Sequence, residues 1–118
     1  MNNNNNLYLE YKFTLYVPST EYSEAISREA TADRVYYIAN YFSDLFGGAT
    51  IENESTGVYK ANSGETISKK IIKVTAFATK KAYSDNRAKI YQLAEEVRKL
   101  WQQESILIED NQKAVLVF

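Results

Sequence analysis

The chain has 118 residues, a length typical of a single domain. Its 45% hydrophobic and 25% charged residues, with one proline, give an ordinary globular composition. Cysteine and histidine are absent, which excludes disulfides, thiolate metal sites and a histidine general base. No apolar run approaches the roughly 18 residues of a membrane span. We therefore expect a cytoplasmic protein that does not bind membranes.

The chain starts with a low-complexity run, Met1 to Asn6, which has nothing to bury and is expected to be disordered. Apolar and polar residues then alternate from Leu7 to Val17, which predicts a long half-buried strand that ends at Pro18. Residues 7–118 are predicted to form one domain.

Two amphipathic helices are predicted next. Thr31 is the expected N-cap of the first helix, and Gly47 and Gly48 end it. Ser84 is the expected N-cap of the second. Apolar residues recur with a helical period in both: Val35, Ile38, Ala39, Phe42, Leu45 and Phe46, then Ile90, Leu93, Ala94, Val97, Leu100 and Trp101.

The remaining segments are predicted to be extended, with a hairpin turn at Asn62-Ser63-Gly64. Each helix is thus flanked by strands, as in two βαβ halves. This order predicts an α+β, ferredoxin-like split βαβ sandwich. Its two helices would pack on one face of an antiparallel sheet of four or five strands.

The C-terminal half resembles a family of small bacterial proteins of unknown function. The likeness covers residues 45–118 and depends on three features: a Gly57-x-Tyr59 hairpin, Gln103-Glu104-Ser105-Ile106 before the last strands, and a closing Phe118. The resemblance implies a ferredoxin-like sandwich and brings no catalytic residue with it.

Catalytic patterns are missing from the sequence. Glu95 and Glu96 are adjacent on a predicted helix and diverge, so they do not face one substrate. The four glycines, at positions 47, 48, 57 and 64, form no phosphate-binding loop. We therefore predict that the chain is not an enzyme and uses no cofactor or metal.

Tyrosine is the most unusual feature, with ten in the chain. Tyr37 and Tyr41, spaced i, i+4, are predicted to project outward from the first helix. Tyr8 and Tyr16 share the strand face opposite the apolar one. Exposed aromatic rings are typical of interfaces, so these four residues are the predicted partner-binding set, with a protein or a second copy of the chain as partner. Alternatively, a neighbouring loop covers them.

Charge is distributed unevenly along the chain. Residues 1–58 have three basic and eight acidic side chains, net −5, whereas residues 59–118 have eleven and seven, net +4. The predicted anion-binding residues are Lys69, Lys70, Lys73, Lys80 and Lys81. These lysines could instead be a solvated strand edge.

The sequence therefore favours a non-catalytic, protein-binding or inhibitor-like module that self-associates, as a homodimer. One alternative is a nucleic-acid or nucleotide binder, in which Tyr8 and Tyr16 stack on bases and the lysines neutralise phosphates. The overall charge of −1 argues against it. Another alternative, from small size and richness in tyrosine, is a counter-defence or regulatory protein of a phage or mobile element.

Overall fold

A computed structural model describes residues 5–22 and 24–118. Residues 1–4 of the Asn-rich start lie outside this range, so their predicted disorder stays a prediction. The strands, numbered along the chain, are β1 Tyr11–Pro18, β2 Thr20–Glu21, β3 Glu24–Ala25, β4 Thr50–Ile51, β5 Ser55–Lys60, β6 Thr66–Ala78, β7 Ile106–Asp110 and β8 Lys113–Val117. The helices are α1 Arg28–Phe46 and α2 Lys80–Leu100.

Six of these strands form one antiparallel sheet. Five of them follow the spatial order β4, β6, β1, β7, β8, and the sixth, β5, pairs with β6. Strand β5 pairs with the first half of β6, and β1 pairs with the second half. The order β7-β1-β6-β5 with helices after β1 and β6 is the ferredoxin-like arrangement, which confirms the predicted fold. The sheet has six strands, one more than the upper prediction of five.

Strand β1 starts four residues later than predicted. Its ladder with β6 ends where Tyr11 lies opposite Ala78, the last residue of β6. Residues 7–10 therefore extend past the end of the neighbouring strand, and Leu7 and Leu9 are exposed.

Both helices start earlier than predicted. Ser27, not Thr31, is the N-cap of α1, and its hydroxyl accepts a hydrogen bond from the Ala30 amide. Thr79, not Ser84, has the same role in α2 by accepting from the amide of Ala82. The end of α1 is as predicted: Gly47 takes the left-handed conformation, with φ of 90°.

The core lies between the helices and one face of the sheet. Phe13 and Leu15 of β1 and Val74 of β6 are fully buried there. All six apolar positions predicted for each helix contribute to this core, fully or partly, except Leu100, which is 69% exposed. The two helices therefore pack on a single face of the sheet. No helix of residues 5–22 and 24–118 covers the opposite face, which we call the open face.

Helix α2 is also attached to the last hairpin through a buried carboxylate. The side chain of Asp110, at the end of β7, is 4% exposed. It accepts hydrogen bonds from the Tyr83 and Tyr91 hydroxyls and from Arg87 Nε at 2.8 Å. We call these four residues the Asp110 cluster.

Candidate functional site

The centre of the open face carries a line of polar side chains. The alternation of β6 directs Lys69, Lys73 and Thr75 away from the helices. The Thr75 hydroxyl donates to Glu52 Oε2 at 2.9 Å, so the 2.9 Å contact between the Thr14 and Thr75 hydroxyls has Thr14 as donor. These hydrogen bonds join β1, β6 and the segment after β4, and they make this part of the sheet a rigid base.

Tyr16 lies beside this line and is not a free aromatic side chain. Its hydroxyl donates to Glu109 on β7, and the ammonium of Lys73 lies 5.1 Å from its ring centre. Burial, together with the hydrogen bond and charge of Glu109, raises the pKa of Tyr16 to about 12. The residue is therefore a protonated hydrogen-bond donor over the whole physiological range.

A groove of about 970 Å³ opens where the β5–β6 hairpin extends beyond the end of β1. Its second wall is the chain from α2 to β7. We call it the hairpin groove, and its lining includes Tyr16, Tyr22, Tyr59, Lys69, Gln103, Glu104, Leu116 and Phe118. It combines aromatic surface with charges of both signs, and its volume is in the range of small-molecule sites.

Lys69 projects into this groove from β6. Its Nζ lies 5.0 Å from the ring centre of Tyr59 and donates to Gln103 Oε1 at 3.1 Å. Burial lowers the pKa of Lys69, with Arg34 acting in the same direction and Glu104 opposing both. The ammonium is partly removed from water, and one of its three N–H groups donates to the amide oxygen of Gln103.

The side chain of Gln103 is fixed by hydrogen bonds to backbone carbonyls. It is 8% exposed, and its Nε2 donates to the carbonyls of Thr20 at 2.7 Å and Trp101 at 2.8 Å. With both amide hydrogens committed to backbone, its Oε1 is left to face Lys69. The orientation of this side chain follows from its network.

Arg34 supports the same wall from the helix side. It is 8% exposed and donates to the carbonyls of Pro18 and Thr20, while its guanidinium lies 5.0 Å from the ring of Trp101. The end of β1, helix α1 and the end of α2 are thereby fixed to one another. Burial lowers the pKa of Arg34, and the charge of Glu21 opposes that change.

Tyr59 and Glu104 both line the groove, and Glu104 is close enough to affect the pKa of Tyr59. Burial raises the pKa of Tyr59, and the charge of Glu104 adds to the effect. Glu104 is exposed and accepts a long hydrogen bond of 3.5 Å from Asn62 on the hairpin turn. An aromatic face next to a carboxylate is a suitable environment for a positively charged ligand.

The five lysines of the predicted anion-binding set do not form one cluster. Lys69 and Lys73 share the open face, whereas Lys70 points the other way and pairs with Glu54 at 3.2 Å. Lys80 and Lys81 lie in the first turn of α2, beyond the opposite end of β6, and Lys81 pairs with Asp85 at 2.7 Å. Alternation along the strand separates residues that are close in sequence.

The four predicted partner-binding tyrosines are also in different environments. Tyr37 on α1 is 48% exposed, but Tyr41 is half-buried and packs against the core. Tyr8 precedes β1 and is exposed, whereas Tyr16 is half-buried on the open face. A role in binding a partner stays a prediction for these residues.

Tyr59, Gln103 and Glu104 were not predicted as site residues. Gln103 and Glu104 were noted only as part of a family pattern. The burial of Gln103 and the positive φ of 53° at Gln102 are features of the folded chain, and no local sequence pattern indicates them. Within residues 5–22 and 24–118 no group of carboxylates is arranged to hold a metal ion. Neither described helix is long and apolar enough to cross a membrane.

Fold and groove together define a small α+β protein with a ligand-sized site at one end of its sheet. Comparison with solved structures finds a phage SAM lyase in complex with S-methyl-5'-thioadenosine, with a TM-score of 0.65 and 16% identity over 91% of this chain and 88% of that one. The apo state of a phage SAM lyase matches with a TM-score of 0.63 and the same identity, over 91% and 87% of the two chains. No protein-family model and no curated protein matches the sequence.

These findings correct two expectations. The resemblance to a bacterial family is supported only as a likeness of fold, since no family model matches. The prediction that the chain is not an enzyme is contradicted, because the fold it shares over nine-tenths of its length is that of an enzyme. That prediction was based on the absence of histidine and cysteine from the sequence.

Proposed function

We propose that this chain is an enzyme that cleaves S-adenosylmethionine and releases S-methyl-5'-thioadenosine, with the hairpin groove as its site. The observation that carries the proposal is the fold shared with a phage SAM lyase over almost the whole length of both chains. The chemistry of the groove supports it independently, because S-adenosylmethionine combines an aromatic base, a sulfonium cation and a carboxylate.

The reaction suits a protein without histidine or cysteine. Release of S-methyl-5'-thioadenosine breaks the bond between sulfur and the γ-carbon of the amino-acid arm, and the electron pair goes to sulfur. Sulfur leaves as a neutral thioether, so no acid has to protonate the leaving group. A carboxylate oxygen of the same arm attacks the γ-carbon as the carbon–sulfur bond breaks, which forms the C–O bond of a lactone and requires no proton transfer.

Tyr59 and Glu104 are the residues that would bind the sulfonium. The face of a tyrosine ring attracts a cation at about 6 Å or less, and a nearby carboxylate adds to the attraction. The ring of Tyr59 already has the ammonium of Lys69 at 5.0 Å. This contact shows that the surroundings of the Tyr59 ring accept a positive charge.

Ground-state binding and catalysis are separable at this site. Positive charge on sulfur disappears in the reaction, so an interaction that stabilises the sulfonium strengthens binding more than it lowers the barrier. Poor hydration of the groove would favour the chemical step, because charge is dispersed in the transition state. Loss of the Glu104 charge is therefore expected to raise KM more than it lowers kcat.

The proposal is tested by incubating the protein with S-adenosylmethionine and measuring S-methyl-5'-thioadenosine by liquid chromatography. Heat-denatured protein corrects for spontaneous breakdown of the substrate. We expect release above this background, with KM raised about tenfold in Glu104→Gln. Glu65→Gln removes the same charge from the exposed hairpin turn, outside the groove lining, and should behave as the unmodified protein. No release above background at any substrate concentration contradicts the proposal.

Such an activity would also give the counter-defence alternative a mechanism. An enzyme that consumes S-adenosylmethionine would deprive methyltransferases of their methyl donor. Expression in bacterial cells should then lower the S-adenosylmethionine content, and unchanged content would separate this role from the activity in vitro.

A further inference from the structure

We propose that Lys69 anchors the α-carboxylate of the substrate's amino-acid arm, and that the hairpin groove thereby selects ligands that carry this carboxylate over those that lack it. This inference rests on the proposed function and names the contact that would make the groove specific for ligands with an α-carboxylate.

The first argument is that Lys69 is a cation without a carboxylate partner among the described residues. The ion pairs found in this part of the chain leave out Lys69, whereas its neighbour Lys70 pairs with Glu54. Lys69 donates instead to a neutral amide oxygen. An ammonium that is partly removed from water gains more from a carboxylate ligand than a fully hydrated one, because the local dielectric constant is lower.

The second argument is that Lys69 is positioned in advance. Gln103 cannot rotate its oxygen away from Lys69 without breaking its hydrogen bonds to the Thr20 and Trp101 carbonyls. Gln103 thus takes one N–H of the ammonium and leaves two for a ligand. Little conformational entropy has to be lost when a carboxylate binds to a side chain that is already held.

The third argument is the arrangement of charges. Lys69 lies between the ring of Tyr59 and the amide of Gln103, and Glu104 is close enough to affect its pKa. The groove therefore presents a positive ammonium, that of Lys69, next to an aromatic ring and a carboxylate, those of Tyr59 and Glu104. The substrate has the complementary order, with a carboxylate at the end of a short arm and a sulfonium at its start.

The chemistry predicts a preference that can be measured without turnover. S-adenosylhomocysteine carries the same arm but is a thioether, so it has no sulfonium leaving group. Its decarboxylated analogue differs only in lacking the carboxylate. We expect calorimetric titration of the unmodified protein to show at least tenfold tighter binding of S-adenosylhomocysteine.

The variant Lys69→Met keeps the length of the apolar stem and removes the charge. It should reduce the preference for S-adenosylhomocysteine to less than threefold, while its affinity for the decarboxylated analogue stays within threefold of the unmodified value. Lys70→Met is the matched control on the other face of the strand and should retain the full preference. Lys69→Arg should restore most of it.

The outcomes separate the two proposals. Equal binding of both ligands by the unmodified protein refutes the role of Lys69, even if Lys69→Met does not fold, and leaves the cleavage assay to judge the proposed function. An undiminished preference in folded Lys69→Met also refutes it. Absence of binding by either ligand, together with no release of S-methyl-5'-thioadenosine, overturns both.

Discussion

Replacement of Asp110 by asparagine tests whether the Asp110 cluster fastens α2 to the last hairpin. The substitution keeps the size of the side chain and removes its charge. Hydrogen bonds to a charged group contribute about 1.5–3 kcal/mol each, against about 0.5–1.5 kcal/mol for neutral pairs, so each of the three bonds should weaken by about 1 kcal/mol. Arg87 is 53% exposed and recovers part of this by hydration. We expect Asp110→Asn to lower the free energy of unfolding by about 2–3 kcal/mol at neutral pH.

The effect should depend on pH with a defined sign. Burial raises the pKa of Asp110, but hydrogen bonds from Tyr83, Tyr91 and Arg87 outweigh burial and hold it below the ordinary value of 3.8. Stabilisation by the charged form is complete above the unfolded-state value and is lost as pH falls through the lower folded-state pKa. The difference between Asp110→Asn and the unmodified protein should therefore narrow below pH 3.8.

Urea unfolding followed by circular dichroism measures both quantities. Asp85→Asn is the matched control, because Asp85 forms an exposed i, i+4 ion pair with Lys81. That pair is exposed and screened by water, so its loss should change the free energy of unfolding very little. A loss in Asp110→Asn as small as in the control, or a difference that stays constant in acid, would show that the cluster does not stabilise the fold as reasoned.

Three further predictions concern the N-cap of α2, the ionisation of Tyr16 and Tyr91, and the tyrosines Tyr37 and Tyr41 of α1. Thr79→Ala should lower the free energy of unfolding by about 1 kcal/mol, whereas Ser84→Ala should change it by less than about 0.5 kcal/mol. Equal effects of the two substitutions would show that Thr79 is not the N-cap of α2. Tyr16 and Tyr91 should ionise near pH 12, later than the other tyrosines, in an ultraviolet titration. Their pKa is higher in the folded than in the unfolded state, so the free energy of unfolding should fall as the pH rises above 10. A single ionisation of all tyrosines near pH 10 would contradict this. Joint replacement of Tyr37 and Tyr41 by alanine should weaken self-association in light scattering without unfolding the domain, and an unchanged mass distribution would remove this surface from consideration.

The predictable parts of the fold are those determined by local periodicity. The helical spacing of Val35, Ile38 and Phe42 identifies a buried face wherever the helix starts, and these residues are buried. The starting residue is less predictable, because Ser27 and Thr31 are both good caps separated by one turn. Only the hydrogen bond from Ala30 to Ser27 decides between them. Strand ends depend on partners as well, as the late start of β1 shows.

The candidate site could not be predicted from local patterns. Lys69 and Gln103 are 34 residues apart, and Gln103 and Thr20 are 83 apart, so only the folded sheet brings them together. Lysines that are adjacent in sequence looked like one cluster, but a strand directs neighbours to opposite faces. The prediction that the chain is not an enzyme was based on the absence of histidine and cysteine, and the likeness to the fold of an enzyme contradicts it.

The two halves of β6 pair with different strands, and this has a consequence for access to the groove. The second half of β6 lies against the core that the helices cover. Among the described residues, the first half of β6 pairs with β5, an edge strand whose side chains are mostly exposed. Separation of these two strands at the hairpin tip would expose little apolar surface, so fraying there costs far less than global unfolding. Amide hydrogens of residues 55–60 should exchange with deuterium orders of magnitude faster than those of β1. A nucleoside-sized molecule could then enter and leave the groove at a rate that does not depend on the global stability of the domain.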